Sequence, residues 1–373
     1  MNVGILTFHY GYNYGAILQC VGLYQTLIRL GHEVDVIDYQ PGVHAPVPLW
    51  KGWGLRSQDP VASAQTRWRH LRYAGAMRHR FDQFMSENLS FSSRCDDENV
   101  AEVVSGYNAL VVGSDQVWNR NYISVTPACF FNFSPEYPGR RISYAACCGC
   151  KEQPEDTAGR IERALLKFDA LSVRNQVTCE WVHGLTGESP EIVCDPTLLF
   201  SYTGLESSDV LPFKKYILAY ALGEEIRGGH RRAVAEIRNV HGDLPVVWVC
   251  PSAHKPESFC EWADHIIYTA GPAEWLGLIQ NAAFVYTDSF HGAIFSIKYY
   301  KPFLAYYTEE SRAERLLDLA KRYGVVHSVA GSLQDALERK CLETPPDYES
   351  VMDRIDHHRQ ISLSFLKESL SCE

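Results

Sequence analysis

The chain has 373 residues, 46% hydrophobic and 21% charged, the proportions of a globular protein with room for about two domains. Lys and Arg number 35 against 45 Asp and Glu, and the net charge of -10 argues against a general nucleic-acid binder. No apolar run approaches the roughly 20 residues of a membrane span. The opening Met1-Asn2-Val3-Gly4-Ile5 reads directly as a strand, without the basic and apolar regions of a signal peptide, so the cytosol is the expected compartment.

Residues 2–8 predict a strand, 15–30 an amphipathic helix and 33–38 a second strand, a βαβ unit of the doubly wound type. The first turn, His9-Tyr10-Gly11-Tyr12-Asn13-Tyr14-Gly15-Ala16, contains glycine but is not GxGxxG, so a dinucleotide fingerprint is absent. His9, Asn13 and Gly15 are its candidate substrate contacts, beside a helix N-terminus that can cradle an anion. A tight turn with stacked tyrosines is the structural alternative. Residues 42–80 break the pattern, and 67–80 form the one basic, aromatic stretch of an acidic protein. That stretch suits a peripheral membrane contact or a pyrophosphate-bearing substrate, although a solvated helical face over buried Trp68 and Leu71 is favoured.

A short buried strand at 109–112 runs into Gly113-Ser114-Asp115-Gln116-Val117-Trp118-Asn119. Ser114, Asp115 and Gln116 are candidate site residues, since ligands bind at the carboxyl edge of an open α/β sheet. Residues 140–146 form the next strand, 157–169 a helix and 170–173 a strand ending at Arg174. A guanidinium there can grip a carboxylate or phosphate bidentately, or form a salt bridge between domains. A helix at 175–185 and a short strand from Glu191, ending in Asp195-Pro196-Thr197, follow. Residues 201–213 read as a linker.

A second αβ series predicts strands at 216–222, 245–250, 265–268, 284–287 and 303–307. Helices are predicted at 229–240, 273–282, 293–300 and 312–322, with a last one at 348–370. Between two of these elements stands Thr287-Asp288-Ser289-Phe290-His291-Gly292, a strand-to-helix turn. Asp288 or Ser289 can cap the helix, and Gly292 lets backbone N–H groups approach an anion. His291 stands beside that site as a proton donor or acceptor. The expected fold is α/β, two doubly wound Rossmann-like domains facing a cleft. Their expected bounds are 1–203 and 204–345, with a helix at 346–373 packing back across the interface. The 12 cysteines cluster only at Cys147, Cys148 and Cys150, without the spacing of a metal site, so no metal is expected.

Six stretches carry a resemblance. Gly4 to His9 with Asn13 to Gln19, Val112 to Asn119, Ile142 to Ala146, Ser172-Val173-Arg174, Asp195 to Leu199, and Thr287 to Gly292 resemble, in order and roughly in spacing, the polysaccharide pyruvyl transferase family. The resemblance implies a fold like the GT-B glycosyltransferases. It implies transfer of pyruvate from phosphoenolpyruvate onto two hydroxyls of a sugar, forming a cyclic ketal and releasing phosphate. The acceptors implied are sugars of surface polysaccharides or their lipid-linked or nucleotide-linked precursors; no cofactor is implied beyond the donor substrate. His291 matches the family's histidine taken to be catalytic, and Arg174 the arginine thought to hold the donor. Ser289-Phe290-His291 stands where some branches have Arg-Leu-His, and Arg312 or Arg315 is the candidate replacement for that arginine. Asn175 stands in place of the usual acid, and Cys147-Cys148-Gly149 in place of Ser-Phe-Gly.

The chemistry fits these residues. Phosphoenolpyruvate carries two anionic groups and needs cations or helix N-termini. His291 is assigned general acid/base, and Asp115 or Asp288 the carboxylate near the oxocarbenium-like centre. Arg174 is the anion clamp, with Ser289, Gly292, Arg312 and Arg315 on the donor side. His9, Asn13, Gly15, Ser114 and Gln116 line the acceptor side. Two alternatives stay open: a GT-B glycosyltransferase using a nucleotide sugar, and a non-catalytic nucleotide- or sugar-binding module.

Overall fold

The computed structural model describes residues 1–40, 60–119, 127–132, 137–149, 151–152, 159–250 and 261–371, with the side chains of 60–71 and 310–312 left outside. The expectations for Trp68, Leu71, Cys150 and the Arg312 side chain therefore lie outside the described residues.

Two six-stranded sheets, parallel throughout, organise the chain. The first contains β1 (Asn2–Leu6), β2 (Glu33–Val36), β3 (Ala109–Val112), β4 (Arg140–Ala146), β5 (Ala170–Val173) and β6 (Glu191–Ile192), in the order β2-β1-β3-β4-β5-β6. The second contains β7 (Ile217–Tyr220), β8 (Val246–Val249), β9 (His265–Ile267), β10 (Phe284–Thr287), β11 (Phe303–Tyr306) and β12 (Val329–Ala330), in the order β12-β11-β10-β7-β8-β9. Every residue of β3, β7, β8, β10 and β11 is buried, which is why these strands read as continuous apolar runs and not as alternating ones. Each sheet reverses its order once, between β1 and β3 and between β7 and β10. Loops leaving neighbouring strands diverge at such a point and open a crevice at the carboxyl edge.

The helices of the first half are α1 (Tyr14–Arg29), α2 (Pro60–Asn88), α3 (Val100–Val104), α4 (Arg160–Leu165) and α5 (Gln176–Thr186). Those of the second are α6 (His230–His241), α7 (Pro272–Asn281), α8 (Phe290–Lys298), α9 (Glu310–Tyr323), α10 (Leu333–Glu338) and α11 (Tyr348–Ser369). Three differences from the sequence expectation matter. The helix expected at 157–169 is only α4, six residues long. α3, α10 and β12, of two to six residues, carry too few positions to show a period. And α8 starts at Phe290 rather than 293, so His291 and Gly292 lie within its first turn.

One apolar cluster runs through both halves. Tyr14, at the first position of α1, stacks on Trp275 of α7 at 5.4 Å, meets Tyr220 and Phe81 edge-on or tilted, and donates its hydroxyl to Ala270 O at 2.9 Å. Arg80 of α2 joins α7 through Glu274 at 3.4 Å and Thr269 O at 3.2 Å. Helix α11 touches both halves. Ser362 Oγ accepts the Cys194 N–H at 2.9 Å, while His358 faces Ile192 O at 3.0 Å and the Tyr323 hydroxyl of α9 at 2.8 Å.

Candidate functional site

The turns at the two order reversals meet each other. In the first half, Gln19 of α1 is fully buried and ties the turn after β1 to the turn after β3. It donates to Thr7 Oγ1 at 2.9 Å and accepts the Ser114 N–H at 3.1 Å. Asp115 follows at φ +69, a left-handed conformation that Asp tolerates better than most residues, and its carbonyl accepts the Cys147 N–H. In the second half, Asp288 takes the Leu222 and Gly223 N–H groups, each at 2.7 Å, and so binds the end of β10 to the end of β7. Both carboxylate oxygens hold backbone, which makes Asp288 a brace beneath His291. Asp288→Ala is expected to lose about 1–3 kcal/mol, because partly buried N–H donors lose a charged acceptor; the urea unfolding midpoint reads this directly.

Asp195 is the centre of the cluster. It stands at the end of β6 as the cap of the short 3₁₀ turn Pro196–Leu198. Its Oδ1 takes the Thr197 N–H at 3.0 Å and hydroxyl at 2.7 Å, which leaves Oδ2 for other partners. Oδ2 accepts from Arg174 Nη1 at 3.0 Å and Ser114 Oγ at 3.4 Å, and lies 3.5 Å from His291 Nε2. The last contact has ion-pair distance without hydrogen-bond alignment, and Nε2 is buried with no hydrogen-bond partner among the described residues. Burial opposes the charge on Asp195. The His291 ring and the Arg174 guanidinium outweigh it and hold the carboxyl well below the usual carboxylate range.

Arg174 is 4% exposed. Its Nη2 lies 3.4 Å from Asp115 Oδ1, and its guanidinium sits 4.6 Å over the Phe290 ring from the other half. Burial pulls its pKa down; Cys147, Asp115 and Asp195 together push it further above the ordinary arginine range. Its Nε is buried and has no partner among the described residues. A pocket between the halves is lined by Arg174, Asp195, Phe290, Asp318, Arg322 and Tyr323, among others. Arg322 is held by Asp318 at 2.9 Å.

Other candidate residues have local partners. Asn13 and Ser289 cap α1 and α8, accepting the Ala16 and Gly292 N–H groups, so the Gly292 amide is already engaged. Gln116 accepts from Asn119 at 2.8 Å against Gly149. His9 faces Thr7 O at 3.1 Å and Asp38 at 3.0 Å. Arg315 lies on α9 seven residues before Arg322, on the same helical face. Within the basic stretch, Arg72 lies over Tyr73 of the same helix, and Arg78 lies over Tyr12, which joins α2 to the turn after β1. Cys147 receives the Gly149 N–H and Cys148 the Thr178 hydroxyl. Sequence reasoning overlooked Asp195, Phe290 and Arg322 as site residues. The signal for Asp195 was present, an Asp-Pro-Thr cap at a strand's carboxyl end.

Gly15 has a steric reason. A Cβ there would lie 2.1 Å from His291 Nδ1, so the ring of α8 packs directly on the first turn of α1. Gly15→Ala is expected to displace the imidazole. A misplacement of about 1 Å can cost about 10²-fold in kcat, while overpacking costs about 1–3 kcal/mol in stability. Steady-state turnover beside thermal unfolding separates the two effects.

Comparisons place this geometry. The family model described as polysaccharide pyruvyl transferase matches residues 13–310. No match was found among curated proteins. Among solved structures, the chain is similar to UGT89C1 of Arabidopsis thaliana complexed with UDP-L-rhamnose, at 13% identity and TM-score 0.54, covering 98% of this chain and 97% of that one. It is similar to a putative UDP-N-acetylglucosamine 2-epimerase from Listeria monocytogenes, at 14% identity and TM-score 0.54, over 97% and 90%. Alr3699/HepE of Anabaena, in complex with UDP and glucose, gives 9% identity and TM-score 0.54, over 98% and 95%. At these identities the likeness speaks for the fold alone, the two-domain GT-B arrangement of paired parallel sheets. The family match runs from the cap of α1 to the start of α9 and so takes in both halves of the site: the chain belongs to the polysaccharide pyruvyl transferase family.

Proposed function

We propose that the protein transfers pyruvate from phosphoenolpyruvate to two hydroxyls of a sugar, as a ketal, in the synthesis of a surface polysaccharide. The observation that carries this reading is the meeting of His291, Asp195 and Arg174 between the two halves, with Arg174 Nε buried and lacking a hydrogen-bond partner among the described residues. Buried polar atoms of this kind are ordinarily satisfied. Such an atom on a guanidinium suits a small polar anion.

The reaction balances on the donor and the diol alone. One proton goes to C3 of the enol, turning its methylene into the methyl of pyruvate. C2 gains two bonds to sugar oxygens and loses its bond to the phosphate oxygen. The second hydroxyl proton leaves with inorganic phosphate. His291 moves these protons as acid and then as base. Arg174 binds the donor through Nε while its Nη atoms stay on Asp195 and Asp115, and those carboxylates favour the cationic C2. The acceptor is a sugar in lipid-linked or nucleotide-linked form, lying toward the turn after β1.

The test is phosphoenolpyruvate added to purified protein, read by thermal shift and, with sugar acceptors, by phosphate release. Donor at about a hundred times its dissociation constant adds roughly 2.7 kcal/mol to the folded state. Binding of a UDP-sugar with no response to phosphoenolpyruvate would turn the assignment to a glycosyltransferase.

A further inference from the structure

Asp195 and His291 come from different halves of the molecule and are 96 residues apart in the chain, yet the carboxylate that faces the imidazole is the most constrained in the cluster. Thr197 fixes Oδ1 with two hydrogen bonds, so the Asp195 side chain cannot rotate without losing both. Oδ2 is thereby aimed at Arg174, Ser114 and His291 together. His291 in turn is set by packing. Its ring adjoins Phe290 at 5.3 Å, and Nδ1 lies against the backbone of Gly15.

We propose that Asp195 is the positioning residue that fixes the protonation and orientation of His291, with Nδ1 as the atom facing substrate. The inference rests on the pyruvyl transfer reading for its kinetic arm only. An ionised carboxylate beside Nε2 selects the tautomer that carries its proton there and stabilises the imidazolium when it forms. Nδ1 is then the nitrogen that exchanges a proton with substrate. It abuts Gly15, at the N-terminal turn of α1, a position where any side chain would displace the ring. One partner sits on each half, so the pair depends on how the halves pack.

The groups facing His291 are few. Among the described residues, Asp195 is the one carboxylate at ion-pair distance, and Arg174 and Ser114 act through the same oxygen. Asp115 lies beyond Arg174. α1 presents backbone at Gly15, and α8 presents the Phe290 ring. Asp195→Asn keeps an acceptor for Thr197 and removes the charge.

The deciding measurement is the nitrogen-15 histidine spectrum of the full chain across pH, with the His291 signal assigned by its loss in His291→Gln. In the parent protein the neutral ring should carry its proton on Nε2. In Asp195→Asn that preference should be lost, with the proton redistributed toward Nδ1. With donor and acceptor, kcat should fall by about 10²–10⁴-fold with little change in the donor KM. An unchanged tautomer in a folded variant overturns the proposal, whatever happens to activity. Should Asp195→Asn fail to fold, Thr197→Val removes the hydroxyl bond to Oδ1 and leaves the charge and the backbone bond in place; a partial loss of the Nε2 tautomer supports the proposal and none overturns it. Failure of the parent protein to use phosphoenolpyruvate would strike the functional reading while the spectrum still reports on the pair.

Discussion

His291→Ala is expected to lower phosphoenolpyruvate-dependent turnover by about 10²–10⁴-fold, the range lost with a positioned acid/base group. The fold should survive. The ring is 8% exposed, yet Nε2 makes no hydrogen bond among the described residues, so a loss of about 1–3 kcal/mol, as for an ordinary core truncation, is expected. Phosphate release at saturating donor measures the first effect and urea unfolding the second. Near-normal turnover would remove His291 from the chemistry. The contact with Gly15 adds an internal control. Residues this close do not act additively. A Cβ at position 15 meets the imidazole ring in all three of its nearest contacts, at 2.1–2.9 Å. Once the ring is gone that obstruction goes too, so Gly15→Ala should destabilise the His291→Ala background much less than the parent.

Arg174→Ala carries the largest expected stability effect, about 3–5 kcal/mol near neutral pH, because removing one partner leaves buried charge uncompensated. The guanidinium stands between Asp195 and Asp115, whose side chains are 1% and 14% exposed. The pH dependence follows from Asp195. Its folded-state pKa lies below its unfolded value, so its stabilisation is fully present above about pH 4, the unfolded value, and is lost as pH falls through the lower folded value. Without Arg174 the carboxyl rises toward its ordinary range, and less of its stabilisation remains to be lost as pH falls. Urea midpoints at several pH values between neutral and acid should therefore show the gap between parent and variant narrowing as pH falls. Arg174→Lys should recover only part of the loss, since an ammonium cannot reach two carboxylates as a planar fork and lie over Phe290. An unchanged neutral-pH midpoint in Arg174→Ala would show that the ion pairs contribute nothing.

What the chain states locally, it states well. The apolar runs at 109–112 and 284–287 coincide with β3 and β10, because a strand buried on both faces is apolar along its length, and the strands expected at 140–146 and 170–173 coincide with β4 and β5. The caps Asn13, Asn175 and Ser289 sit where side-chain acceptors are needed at helix starts. The turns after β1, β3, β5 and β10 were legible as ligand-side turns because polar residues follow apolar strands. Local pattern also misled. Gly292 reads as a turn residue, whereas Ser289 captures its amide and starts the helix three residues earlier.

The neighbours were decided elsewhere. Nothing in the residues around Asp195 names His291 as its partner, nor does the sequence near Gly15 name the imidazole that fills the space above it. Those contacts depend on strand order, on β1 lying beside β3 and β7 beside β10, and on the packing of Tyr14 against Trp275 that sets one half upon the other. Periodicity reports how a segment is buried, not which segment buries it. So the sequence by itself determined the paired α/β units, their turns and the residue types at each edge. The tertiary structure decided which of those edges meet, turning Asp288 into a brace and Asp195 into the carboxylate at the centre.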